Sequence, residues 1–378
     1  MMQSKMLKLT GILVLLTICG CVYQSSTMQP TETDKPVWPP IEGHLLSQRQ
    51  LDGSGLEIVW QNELPIKQDE SLDKMIVLGD KLCVLTDRNF LTVLNRNNGT
   101  FVFSRISSEP RFPLMGLGAY QDELFTIESR NLVEINAQSG ADIRSTPLDC
   151  TAAYPAARNS EYFYIAGNDG RIRAFRTEDV VKMFEVAAPD YSAISSVAAY
   201  EGFAVFTTDS GLCIGFEASS PKYLWQFNAE GGIVPPIAQS EGSIFFASKD
   251  TYVYRIEAAG GKFVWKCPTG AILQRGPVVA TKCVYQYAGD KGLTAIDKAN
   301  GRILWRLPQQ AVSVIAEATD KVYLAAGVGS VIVMDNIKGG GQVKISIPGA
   351  SKYAVNVIDS KIYVSDDMGR IACLKPTK

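Results

Sequence analysis

The stretches "GGKFVWKCP" at Gly260–Pro268 and "NGRILWRLP" at Asn300–Pro308 place Trp265 and Trp305 40 residues apart, and "SPKYLWQF" places Trp225 another 40 upstream. Only five tryptophans occur in 378 residues, so three on one interval point to a repeat. The fullest form is "TAIDKANGRILW", with Ala295, Asp297, Gly301 and Trp305 at fixed offsets. "YRIEAAGGKFVW" repeats it with Glu257, Gly261 and Trp265, and "GFEASSPKYLW" has Glu217 and Trp225 with Pro221 in the glycine place. Weaker copies end at Phe184, Arg144 and Phe103, and "LEIVWQNELP" supplies Trp60. The last copy gives Val343 if aligned on Gly339, or Ile345 if aligned on Pro348. Eight markers follow, at an interval that belongs to solenoids, propellers or arrays.

The content of one interval chooses among these. Short runs such as "GSIFFAS", "DKVYLAA" and "SKIYVSD" are rich in Val, Ile, Tyr and Phe and are bounded by Gly, Asp or Asn. Such runs read as strands joined by tight turns. No helical period persists after the first 20 residues, which excludes helical repeats. About four strands per interval predict an all-β, eight-bladed β-propeller of four-stranded antiparallel blades. Merging one weak copy between 103 and 190 would leave seven. An acid or Asn followed four residues later by Gly is a turn, and the large ring after it fills the wedge toward the next blade. Trp60, Phe103, Phe184, Trp225, Trp265 and Trp305 are therefore expected to be structural docking residues. The chain ends without a last aromatic strand, while the strand at Trp60 is spare. That strand is expected to close the last blade.

Before the repeat lie two segments of different character. Residues 1–20 carry Lys5 and Lys8, then an apolar run from Leu9 to Ile18, the pattern of a signal peptide too short to span a bilayer. Residues 21–50 are polar and proline-rich and read as a tether, leaving 51–378 for the propeller. The formal charge is −2, or −4 once the two leader lysines are removed, and no basic run appears, so nucleic acid is not an expected partner. The single histidine, His44, falls in the tether stretch, so no His-based acid–base or nucleophilic system can form in the body. Cys83, Cys150, Cys213, Cys267, Cys283 and Cys373 lie mostly in apolar strand patterns and are expected as buried free thiols rather than zinc ligands. No catalytic, cofactor-binding or metal-binding residue is assigned.

The loops entering each innermost strand gather at one rim and include "SSEPRFPLMG", "LDCTAAYP", "AAPDYSAI", "PTGAILQRGP" and "GASKYAV". Arg111, Phe112, Tyr154, Tyr191, Arg275 and Tyr353 are the partner-binding candidates there, being of the types that dominate interface energetics.

Two resemblances sharpen these expectations. Ile18-Cys19-Gly20-Cys21 resembles the lipobox of bacterial lipoproteins, which implies acylation of Cys21 and, with Val22 following, sorting to the outer membrane. The phrase Ala295-x-Asp297-x-x-x-Gly301-x-x-x-Trp305 resembles the tryptophan-docking motif of PQQ-type propellers, a likeness covering roughly residues 51–376. Within that group the chain is similar to the non-enzymatic BamB branch in size, lipobox, tether and repeat count, and Leu273-Gln-Arg275-Gly is similar to a Leu-x-Arg-Gly turn found there. The resemblance implies a lipid-anchored scaffold facing the periplasm. It would act without a cofactor as a monomer within a complex, its partner being the outer-membrane β-barrel assembly machinery. The alternatives are a PQQ-dependent dehydrogenase-like enzyme or a glycan-binding propeller. The first lacks the adjacent Cys-Cys pair and the length that the dehydrogenase branch implies.

Overall fold

A computed structural model describes residues 44–107, 114–308 and 312–377. These form eight four-stranded antiparallel sheets and no α-helix. Blades 1 to 7 run Leu72–Ile106, Leu117–Pro147, Ala157–Ala187, Ile194–Asn228, Ile233–Pro268, Val278–Leu307 and Val312–Ser346. Blade 8 takes three strands from Lys352–Pro376 and its outermost from Leu56–Glu63. The chain is thus an eight-bladed propeller closed by its N-terminal strand, with Leu56 opposite Pro376, Trp60 opposite Cys373 and Glu63 opposite Arg370. Strands are lettered A to D from the axis outward. The A strands contact one another around the ring, for example Ile194–Ala199 against Ile233–Ser240.

The continuous apolar runs of the middle strands, buried along their whole length in Lys81–Thr86 and Ser243–Ser248, put apolar side chains on both faces of the blades, so each sheet needs two neighbours to bury them. The buried side chains accordingly separate into eight clusters, one in each wedge between adjacent blades. Outer positions complete the wedges. Where the C–D turn opens on an acid or Asn, the marker pairs with the C-strand residue two before it, as Trp305 with Ala295, Trp265 with Arg255 and Phe103 with Val93. A one-residue register shift follows in every blade except the seventh, and such a bulge turns the marker side chain toward the next blade.

What the ring meets there explains the glycine. Gly301 adopts φ +76°, and a Cβ on it would lie 2.7 Å from the indole of Trp265. Gly99, Gly140, Gly261 and Gly339 receive Trp60, Phe103, Trp225 and Trp305 in the same way. The indole N–H groups of Trp60, Trp265 and Trp305 donate to the carbonyls of Arg96, Lys298 and Asn336 at 3.1, 3.1 and 2.8 Å. Trp225 is sandwiched between Gly215 and Gly261, and its N–H has no hydrogen-bond partner among the described residues. Phe184 meets Phe216 of the next blade edge-on at 6.4 Å. Arg144 replaces the ring with polar contacts: it pairs with Glu134 and donates to the carbonyls of Thr177 and Glu178 at 2.5 and 2.7 Å.

Blade 7 departs from the rule. Register makes Val343 the marker, opposite Val333, and it is half exposed. The wedge between blades 7 and 8 is filled instead by Leu45, Leu46 and Leu51, which pack with Val331, Ile345 and Leu374. Gln61 holds the Leu46 backbone through both its N–H and its carbonyl at 2.9 Å. Residues 45–51 therefore belong to the folded body rather than to a polar tether, because the seam has no C–D turn to receive a ring.

Candidate protein-interaction face

Antiparallel order in every blade sends all D–A loops and all B–C turns to one face of the ring. Arg111 and Phe112 lie outside the described residues. The other four candidates occupy different blades of this face and do not form one cluster. Tyr154 is partly buried against the core between blades 3 and 4. Tyr353 is half-buried, with its hydroxyl donating to the Gly327 carbonyl at 3.4 Å. Both are mainly packing groups.

Tyr191 differs. It is 87% exposed, the most exposed large hydrophobic side chain among the described residues, and its backbone sits at φ +59°. A bulky residue in that region is strained and persists only where its surroundings hold it. The Asp190 carboxylate does so, accepting from the Ser192 N–H and hydroxyl and from the Ser210 hydroxyl at 3.1, 2.6 and 2.8 Å. These bonds hold that carboxyl below its ordinary range, although burial acts the other way and more strongly than any single one of them.

Arg275 is exposed, its guanidinium 4.3 Å over the Tyr287 ring. Its loop is rigidly seated. Leu273 is buried, Gln286 donates to the Arg275 carbonyl at 3.0 Å, and the Gly276 N–H donates to the Pro235 carbonyl at 3.1 Å. A Cβ on Gly276 would lie 1.8 Å from the Pro236 carbonyl oxygen, so only glycine fits. Ile272, 65% exposed, stands in the same loop. Sequence reasoning missed it because Ile272 and Leu273 are adjacent and equally apolar, and only the neighbouring blade decides which is covered. Tyr191 and the Ile272–Arg275 pair are thus preorganised contact groups, which limits the entropy lost when a partner binds.

Interior titratable groups serve the ring itself. Among the described residues, no three His, Cys, Asp or Glu side chains converge as a metal site. The Glu317 carboxylate ties blade 7 to blade 6 by accepting from the Thr281 and Lys282 N–H groups and the Tyr285 hydroxyl at 2.9, 3.2 and 2.7 Å. The six body cysteines are buried free thiols. Burial pushes Cys83, Cys283 and Cys373 up to about 12 and Cys267 to about 11, and raises Cys150 and Cys213 as well. Because the thiolate is the reactive form, none of the six is expected to react with a maleimide in the native protein. All six should react after denaturation, which mass spectrometry of the labelled body would count.

Glu128 lies between blades 1 and 2, and burial raises its carboxyl to about 7. Arg105 stands 3.7 Å away, but that guanidinium is already bonded to Asp142. A folded-state value above the unfolded 4.5 means that the fold favours the protonated form. Its contribution is complete below the unfolded value and is lost as pH rises through about 7. Glu128→Gln, permanently neutral, should match the native protein near pH 4.5 and exceed it by about 1–2 kcal/mol at pH 8. Urea denaturation at the two pH values checks this.

Comparison with known proteins agrees with the geometry. The family described as "Outer membrane protein assembly factor BamB" matches residues 209–375, a little under half of the chain. No curated protein matches. Among solved structures, BamB from Moraxella catarrhalis superposes with a TM-score of 0.65 at 14% identity, covering 85% of this chain and 97% of that one. The computationally designed Ika8 protein superposes at 0.62 with 12% identity, covering 82% and 98%. At these identities the structural likeness speaks for the fold.

Proposed function

We propose that this chain, a BamB-like propeller of PQQ-type repeats, is a non-catalytic scaffold. It is held at the inner leaflet of the outer membrane by acyl chains on Cys21 and presents its loop face to a protein of the β-barrel assembly machinery. The observation that supports this best is the pair of preorganised contact groups on that face, Tyr191 and Ile272–Arg275. Exposed aromatic and arginine side chains on rigid loops are the groups from which interface hot spots are drawn. The family match adds the assembly context, and the leader with Cys21 adds the anchor.

Photo-crosslinkers at positions 191, 272 and 275, activated in intact cells, test the reading. Adducts with a barrel-assembly component are expected. Tyr191→Ala combined with Arg275→Ala should weaken that complex about 30-fold or more, the loss of about 2 kcal/mol typical of a hot-spot pair. Absence of any such adduct, together with alcohol- or sugar-dependent turnover on addition of PQQ and calcium, would replace the scaffold with an enzyme.

A further inference from the structure

The B–C turns carry a difference that the repeat does not explain. In blades 1 to 6 their tips are polar: Asp87-Arg88, Ser129-Arg130, Asn168-Asp169, Asp209-Ser210, Lys249-Asp250 and Asp290-Lys291. In blade 7 the tip is Val328, 78% exposed between two glycines, and in blade 8 it is Asp367-Met368, where Met368 is 61% exposed and the Asp367 carboxylate is taken up by Ser351 and Lys352. These two blades are neighbours, and blade 8 is the one that the N-terminal strand completes. The turns are also held as one platform by the loop between the blades. The Gly329 N–H donates to the Ala350 carbonyl at 2.7 Å, and the Ser351 hydroxyl donates to Asp367 at 2.8 Å.

Where the chain enters the body gives the patch its meaning. Leu45 packs in the wedge between these same blades, and a Cβ on Gly349, in that bridging loop, would lie 3.6 Å from it. Leu45 therefore brings the chain into the propeller beside these two turns, which among the described residues are the B–C turns whose tips expose a large apolar side chain. We propose that the loop-side rim of blades 7 and 8 is a membrane-contact surface, with Val328 and Met368 entering the interfacial region of a lipid leaflet. The inference rests on the acyl-anchored reading above. Two small apolar tips bind a bilayer weakly by themselves, but a tether raises their effective concentration at the leaflet. Contact there would tilt the ring so that the more distant Tyr191 and Ile272 loops stay in water.

The test uses the full acylated chain with Val328→Cys or Met368→Cys, each labelled with an environment-sensitive NBD dye. Tyr191→Cys and Ile272→Cys are the reference sites. Buried body thiols do not compete for the label. Flotation with phosphatidylethanolamine–phosphatidylglycerol vesicles, and with phosphatidylcholine vesicles, is scored first. A chain that fails to float refutes the anchored reading and this inference with it. Given flotation, the dye at 328 and 368 should shift to the blue, brighten several-fold and be quenched by nitroxide lipid in both vesicle types, while 191 and 272 stay unchanged. Dyes in water at all four sites overturn the contact but leave the anchor standing. Equal burial at all four sites overturns the tilt. A response only with anionic lipid overturns apolar insertion, and one that grows with protein concentration points to a second copy instead of lipid.

Discussion

Trp305→Ala is expected to lower the unfolding free energy by about 3–5 kcal/mol, a large share of what a single-chain fold possesses. The ring is 9% exposed, it covers Gly339 of the next blade, and its N–H donates to Asn336. Truncation leaves a ring-sized cavity and an Asn336 carbonyl held only by the weak Cys283 thiol donor at 3.4 Å. Trp305→Phe should recover most of the packing and cost about 1 kcal/mol for the lost hydrogen bond and the smaller ring. Arg144→Ala at the equivalent position should cost less than Trp305→Ala, since its contacts are partly solvated. Chemical denaturation of the three variants gives the order. A Trp305→Ala loss below about 1 kcal/mol would mean that the wedges are not held from their outer ends.

The second large effect concerns closure. A chain ending at Gly369 loses the strand Arg370–Pro376 and with it the whole ladder that pairs Leu56–Glu63 into the sheet. Trp60, Leu56 and Ile58 would then line an unpaired edge, and blade 8 would be reduced to fragments that cannot cover blades 1 and 7. Such a truncation is expected to abolish cooperative unfolding and to favour aggregation. A circular permutant that joins residue 377 to residue 44 through a linker, so that Leu45, Leu46 and Leu51 stay in their wedge, with new ends in the loop between blades 2 and 3, should instead fold. The seam would then be covalent. Thermal scans with light scattering separate the outcomes. A truncated chain that stays monomeric and melts sharply would show that seven blades close without the eighth.

Much of this architecture can be read from residues. Trp225, Trp265 and Trp305 fix the interval, and Asp297 with Gly301 fixes the turn, because both depend on local chemistry. The ends of the repeat are less legible. Val343 and Ile345 fit the spacing equally well, and only the strand register, which sets Val343 opposite Val333, decides between them. Leu45 and Leu46 look like stray apolar residues in a proline-rich stretch, since their partners Val331 and Leu374 lie some 300 residues away. The contact face shows the same limit. Tyr154, Tyr191 and Tyr353 sit in similar polar loops, yet neighbouring blades bury two of them and leave the third outside.

Arg144 has one further consequence. A wheel of interchangeable blades could be assembled in many orders, with a repeat skipped or borrowed from another molecule at little penalty. Here Phe103 needs the open turn at Gly140, while Arg144 needs the bare carbonyls of Thr177 and Glu178, where blade 3 has no glycine to seat a ring. Advancing the chain by one blade would press a phenyl group onto a polar turn and bury an unmatched guanidinium. The irregular copies thus act as a key that admits a single circular order, and the weakest repeats in the sequence are the ones that number the blades.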